Sequence, residues 1–143
     1  LQIRLRRFDS DLSLHKSLLV RMMKKKIIGI IGKGFVGSAV AQGFSQAVGY
    51  DAEILIYDKD PLKSQNSLRE VVERSEIVFI SVPTPANEDG SINLKILESC
   101  LNEVSEEVEK RKAYESIFLI RSTVVPGTTS NLQKVVKNTS PFI

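Results

Sequence analysis

The 143-residue sequence predicts an α/β protein built as a doubly wound parallel sheet, in the size range of one domain. Three observations carry that expectation. Four short, nearly unbroken apolar runs recur along the chain, as in strands buried on both faces. The segments between them space their apolar residues as helices do. A glycine-rich turn joins the first run to the first helical segment. Strands alternating with helices imply right-handed crossovers and a parallel sheet covered on both faces.

The first strand is Ile27–Ile31, and a helix follows over Gly34–Val48 with Val36, Val40 and Phe44 on one face. Glu53–Tyr57 is the second strand and Ser67–Arg74 a short helix with Leu68, Val71 and Val72 together. Ile77–Val82 is the third strand, followed by a polar loop, Pro83–Ile92. Asn93 suits the N-cap of the next helix, whose stripe is Leu94, Leu97, Leu101, Val104 and Val108. Ile117–Ile120 is the fourth strand. Pro126-Gly127 then turns the chain toward a helix over Ser130–Val136 that Thr128 or Thr129 can cap.

The ends differ from the middle. The chain opens on Leu1, and Met22-Met23-Lys24-Lys25-Lys26 leads into the first strand like a start. Residues 1–24 therefore read as an extension outside the fold, and 25–143 as the domain. A presequence is the alternative, since Leu12, Leu14, Leu18 and Leu19 are spaced as on a helix face, but Asp9 and Asp11 weigh against it. Phe142-Ile143 resembles the opening of another buried strand, so the sequence reads as a C-terminally truncated fragment.

Composition narrows the function. Charged residues make up 26% and hydrophobic residues 42%, a soluble globular balance. The net charge of +3 arises in residues 1–24; from position 25 onward there are 14 basic and 15 acidic residues, which is no nucleic-acid footprint. No apolar run approaches the ~18 residues of a membrane span. One Cys and one His (His15, in the extension) leave no disulfide framework and little material for a metal site or a His-based triad.

Gly32-Lys33-Gly34-Phe35-Val36-Gly37 matches G-x-G-x-x-G between a strand and a helix, the setting of a Rossmann-type dinucleotide fold. Gly32 permits the tight turn, Gly34 lets a pyrophosphate approach the backbone, and Gly37 lets the helix lie close to the strand. The helix N-terminus offers unpaired N–H groups to the phosphates. Asp58 stands 21 residues beyond Gly37, near the ~20 expected for the acid that binds the adenosine ribose. A carboxylate there favours NAD over NADP, although Lys59 and Lys63 could soften its repulsion of a 2′-phosphate.

Two further loops follow the third and fourth strands, where ligands of open parallel sheets bind. One is Val82-Pro83-Thr84-Pro85 with Asp89-Gly90-Ser91; the other is Ser122-Thr123-Val124-Val125-Pro126-Gly127-Thr128-Thr129. With Ile30-Ile31 and the glycine loop, these segments resemble the NAD-binding domain of the UDP-glucose/GDP-mannose dehydrogenase family, most of all its UDP-glucose 6-dehydrogenase branch. The likeness runs from about Lys25 to Gln133.

That resemblance implies a nucleotide-sugar 6-dehydrogenase, which oxidises a 6-hydroxymethyl group to a carboxylate in two hydride transfers to NAD. UDP-glucose is the implied substrate, and uronic acids for surface polysaccharides the implied use. It also implies a homo-oligomer at full length; an intracellular cofactor and no credible export signal in the sequence point to the cytoplasm. By motif position Gly32, Gly34, Phe35, Val36 and Gly37 hold the pyrophosphate. Asp58 takes the ribose with Lys63 near its phosphate side, Thr84 lies toward the nicotinamide, and Thr123 stands beside the reacting carbon. The family's catalytic Cys, Lys, Asn and Glu lie beyond the third motif and have no counterpart here. Cys100 does not match the nucleophile and reads as a packed helix residue. The segment between Asp58 and the third strand is shorter than the family's. The glycine loop alone would also suit a 3-hydroxyacid or 6-phosphogluconate type dehydrogenase, or a non-catalytic NAD(H)-sensing module. The two later motifs argue against the first pair, and a need for Thr123 would separate an enzyme from a sensor.

Overall fold

In the computed structural model, residues 25–111 and 116–130 are described. The elements run β1 (Lys26–Ile31), α1 (Phe35–Gly43), a 3-10 turn (Gln46–Val48), β2 (Ala52–Tyr57), α2 (Leu68–Arg74), β3 (Ile77–Ile80), α3 (Lys95–Arg111) and β4 (Ile117–Ile120). The strands form one parallel sheet in the order β2-β1-β3-β4. Successive strands thus lie to one side of β1 and then to the other. The strand order reverses between β1 and β3, and a ligand crevice opens beyond the carboxyl ends of strands at such a reversal.

Side-chain alternation assigns the faces. Ile30 points toward α1 and meets Gly37, whose place a Cβ could not take without running into the Gly32 carbonyl oxygen. Ile31, Leu55, Val78, Ile80 and Phe118 point the other way. There they bury Val71 and Val72 of α2 and Leu97, Leu101, Val104 and Val108 of α3. Each such side chain contributes about 1.5–3 kcal/mol by leaving water. The predicted α3 stripe is therefore the main wall of the core. Gly29 has a packing role that the sequence reading missed: a Cβ there would stand 2.6 Å from Ser75 Oγ and 2.7 Å from Val71 Cγ1.

Several boundaries shift for local reasons. The helix expected over Gly34–Val48 ends at Gly43, where Ser45 Oγ donates to the Gln42 carbonyl at 2.7 Å and a 3-10 turn takes over. The third strand stops at Ile80, not Val82, because Pro83 and Pro85 bring no N–H to the ladder. Asn93 caps the helix from one position further out: its Oδ1 accepts the N–H of Lys95, the first helical residue, at 3.0 Å, while the Leu94 carbonyl opens the ladder by accepting Glu98 N–H at 2.8 Å. The Pro83–Ile92 loop contains a bridge between Ala86 and Ile92. Helix α2 carries a full capping box. Ser67 Oγ accepts Glu70 N–H, and the Glu70 carboxylate accepts Ser67 N–H and is held below the usual carboxylate range by these bonds.

The outer edge of β2 is partly closed by the chain itself. The Ile56 carbonyl accepts Gln65 and Asn66 N–H at 3.0 and 2.8 Å, and Asn66 Oδ1 accepts Ile56 N–H at 3.0 Å. Residues 65–66 thus hold the position a further strand would occupy, which is how the chain reaches α2 so soon after Asp58. Helical geometry begins at Thr128. The continuation to Val136 and the amphipathic reading of residues 1–24 lie outside the described residues.

Candidate cofactor site

The glycine loop leaves β1 at Ile31, and its first N–H stays tied to the sheet, Gly32 donating to the Tyr57 carbonyl at 2.9 Å. Gly32 has φ +96°, and a Cβ there would lie 2.5 Å from the Ser81 carbonyl oxygen. Its lack of a side chain therefore serves both the turn and the close approach of β3. Gly34 is the reverse case. A Cβ there would meet nothing within 4 Å, so this position faces open space at the start of α1. Gly34 is the N-cap of α1 and provides no side-chain cap, which leaves the helix's leading N–H groups available to an anion. Phe35 and Val36 open that helix and are exposed.

Asp58 is built into the same turn. Its Oδ2 accepts Lys33 N–H at 2.6 Å and its Oδ1 accepts Asp60 N–H at 2.9 Å, while its own N–H donates to Ser64 Oγ at 3.1 Å. The carboxylate thus clamps the glycine loop to the end of β2 and keeps free lone pairs for ligand hydroxyls. Lys63 stands apart, 3.6 Å from the Asp60 carboxylate.

A cavity of about 450 Å³ opens beside these residues. Its walls are the strand ends Ile31, Gly32, Tyr57, Asp58 and Val82, then Lys59 and Pro83, then Lys95, Ile96, Ser99, Cys100 and Glu103 of α3. Of the predicted site residues only Gly32 and Asp58 line it; Gly34, Phe35, Val36, Gly37, Lys63, Thr84 and Thr123 do not. The α3 wall escaped the sequence reading. Its signal was a second stripe, Ile96, Ser99, Cys100 and Glu103 at steps of three, one and three, running beside the core stripe.

The two remaining loops are drawn together beyond the strand ends. Ser122 Oγ donates to the Val82 carbonyl at 2.7 Å. Exposed Thr123 therefore follows a residue fastened to the loop of half-buried Thr84. Thr84 sits between Pro83 and Pro85, whose carbonyl accepts Asn93 N–H at 2.8 Å. Asp89 Oδ1 accepts both Ser91 N–H and Ser91 Oγ, which holds the Asp89 carboxyl below its usual range. Thr128 is buried with its hydroxyl unpartnered, so that hydroxyl caps nothing.

Cys100 is packed in α3, as expected, and it also forms part of the cavity wall. Burial, with Glu103 adding to it and Lys59 opposing, pushes its thiol from 9.0 to about 12. At pH 8 that lowers the thiolate fraction by roughly a thousandfold. Iodoacetamide should therefore alkylate the folded chain roughly a thousand times more slowly than the urea-unfolded chain, and NAD⁺ should slow it further. Equal rates in the two states, read by mass spectrometry, would contradict this placement.

The residues fit a dinucleotide: an uncapped helix N-terminus, an open Gly34, and an acid at the end of β2 that lines the cavity beside Gly32. Sheet and crevice together define a Rossmann-type dinucleotide-binding protein.

Comparison with known proteins narrows the class. Residues 56–141 match the model of the UDP-glucose/GDP-mannose dehydrogenase family, NAD binding domain. The UDP-glucose 6-dehydrogenase AglM of Haloferax volcanii is 30% identical over 128 residues, covering 71% of this chain and 29% of that protein. The GDP-mannose 6-dehydrogenase of Pseudomonas savastanoi pv. phaseolicola is 27% identical over 133 residues, covering 73% and 30%. Among solved structures, a GDP-mannose dehydrogenase from Pseudomonas aeruginosa superposes with TM-score 0.65 at 22% identity, covering 81% of this chain and 34% of that one. A UDP-glucose dehydrogenase from Pyrobaculum islandicum gives TM-score 0.65 at 20% identity, covering 83% and 34%. The chain belongs to the UDP-glucose/GDP-mannose dehydrogenase family, is its NAD-binding domain, and takes NAD as cofactor. It spans about a third or less of the length of these relatives. Among the described residues no helix is long and apolar enough to cross a membrane.

Proposed function

We propose that the chain is the cofactor half of a nucleotide-sugar 6-dehydrogenase that converts UDP-glucose to UDP-glucuronate. Residues 25–143 form its cofactor unit and 1–24 an extension. The carrying observation is the Ser122–Val82 hydrogen bond, which fastens the Thr123 loop to the Thr84 loop at the mouth of the crevice. The UDP-glucose choice is supported by relatives of that name at 30% identity, against 24–27% for those named for GDP-mannose.

In this reading Gly32, Gly34, Phe35, Val36 and Gly37 hold the pyrophosphate through backbone N–H groups. Asp58 accepts the ribose hydroxyls. Lys63, paired to Asp60, contributes positive charge at that end. Thr84 lies toward the nicotinamide. When bound, NAD⁺ accepts hydride from the sugar carbon. Thr123 stabilises the oxygen on that carbon as charge develops, a role worth about a hundredfold or more in rate for one well-aimed donor. Cys100, its thiol pushed up by burial in α3, is poorly suited to serve as the family's catalytic Cys. The enzyme works in the cytoplasm, as a homo-oligomer.

Calorimetry of this chain should show NAD⁺ binding, and the whole protein should reduce NAD⁺ with UDP-glucose. Thr123→Ala should lower that kcat about a hundredfold. An unchanged rate would remove Thr123 from the chemistry. Turnover of GDP-mannose in preference to UDP-glucose would overturn the substrate.

A further inference from the structure

The cavity has two chemically different ends. One is Gly32, the first residue of the glycine loop, with Asp58, which suits the ribose and its phosphate side. The other is the wall of α3, built from Ile96, Ser99, Cys100 and Glu103, with Tyr57 lining the same cavity. Ile31, Val82, Ile96 and the Tyr57 ring make this end apolar and suited to a flat base.

Its polar groups are few, and their hydrogen-bonding capacity is already divided. The Cys100 thiol stays protonated, a weak donor. The Ser99 hydroxyl donates to Glu103 Oε1 at 3.3 Å, one turn along the helix. Lys59 and Lys95 only donate. The Glu103 carboxylate is the strong acceptor on that wall. Its single bond to Ser99 is long and leaves most of its acceptor capacity unused. Glu103 lines the same cavity as Tyr57, whose phenol is pushed above its ordinary value first by burial and then by the Glu103 charge.

We propose that Glu103, steadied by Ser99, is the base-reading residue of the site: it accepts a hydrogen bond from the exocyclic amine of adenine and disfavours a base with a carbonyl there. This rests on the cofactor reading above. An acceptor facing an amine gains a charge-assisted bond; the same acceptor facing a carbonyl oxygen meets a second acceptor. Asp58 anchors the ribose and limits how far the base can slide to offer another edge. Glu103 is exposed at the rim, so the discrimination is modest, about fivefold to tenfold.

The test is calorimetry of the 143-residue chain with NAD⁺ and with nicotinamide hypoxanthine dinucleotide, in which a carbonyl replaces the amine. The wild type should prefer NAD⁺ by about fivefold or more. Glu103→Gln, which can accept from an amine and donate to a carbonyl, should bring the ratio close to one, mainly by tightening the hypoxanthine form. A ratio near one in the wild type, or the same ratio in both proteins, would overturn the proposal while leaving the cofactor site standing. Binding of neither dinucleotide by the wild type would overturn the cofactor reading and this proposal with it.

Discussion

Asp58→Ala should weaken NAD⁺ binding by about tenfold to a hundredfold, the range expected when hydrogen bonds to an ionised acceptor are lost in a partly buried site. Two effects add. The ribose loses its acceptor, and Lys33 N–H loses the 2.6 Å bond that fixes the glycine loop. Asp58→Asn separates them. Its amide oxygen can still accept Lys33 N–H, but the charge that repels a 2′-phosphate is gone. The Asn variant should therefore keep the loop in place and lose mainly the preference for NAD⁺ over NADP⁺. Calorimetry with both cofactors on the wild type and both variants decides the point. Equal affinity of the wild type for NAD⁺ and NADP⁺ would end the NAD assignment, whatever the variants do.

That clamp also separates the parts of the site that the sequence pattern carries from those that only the fold creates. Asp58 was legible because a strand of fixed rise sets the distance from glycine loop to acid, and spacing along the chain records it. The α3 stripe was legible for the same reason, since helical periodicity is a property of sequence. The bond from Lys33 N–H to Asp58 was not, because the donor is a backbone group that every residue carries. The α3 wall of the cavity was legible only in part. Ile96, Ser99, Cys100 and Glu103 share a face, but periodicity cannot say that this face meets a crevice instead of water. Gly29 escaped because its neighbours Ser75 and Val71 come from another element. The resemblance implies Lys63 near the phosphate side of Asp58; in the fold it pairs with Asp60, and Lys59 lines the cavity.

The short path from Asp58 to α2 joins sequence to topology. Among the described residues only Gln65 and Asn66 pair with the outer side of β2, and the order reverses next to β1 after a single flanking strand. The crevice consequently forms between β1 and β3, and the same reversal brings Ser81 against Gly32. A residue that serves the turn thereby also serves the sheet.

That double duty sets the second large expectation. Gly37→Ala should destabilise the fold by about 3 kcal/mol, because its Cβ would overlap the Gly32 carbonyl and push α1 off Ile30. The matching fall in the thermal midpoint is roughly 10 °C for a chain of this size. Gly32→Ala should be as severe, since it meets both the φ of +96° and the Ser81 carbonyl at 2.5 Å. Gly34→Ala should behave in the opposite way. With nothing within 4 Å of its Cβ, its stability should change by less than about 1 kcal/mol, while NAD⁺ binding weakens because the methyl group occupies the space a pyrophosphate needs. Thermal melts and calorimetry on the three variants read the two effects separately. A Gly34→Ala protein with wild-type affinity for NAD⁺ would move the pyrophosphate away from this turn, and a Gly37→Ala protein with a wild-type melt would mean that α1 can sit farther from β1 at no cost.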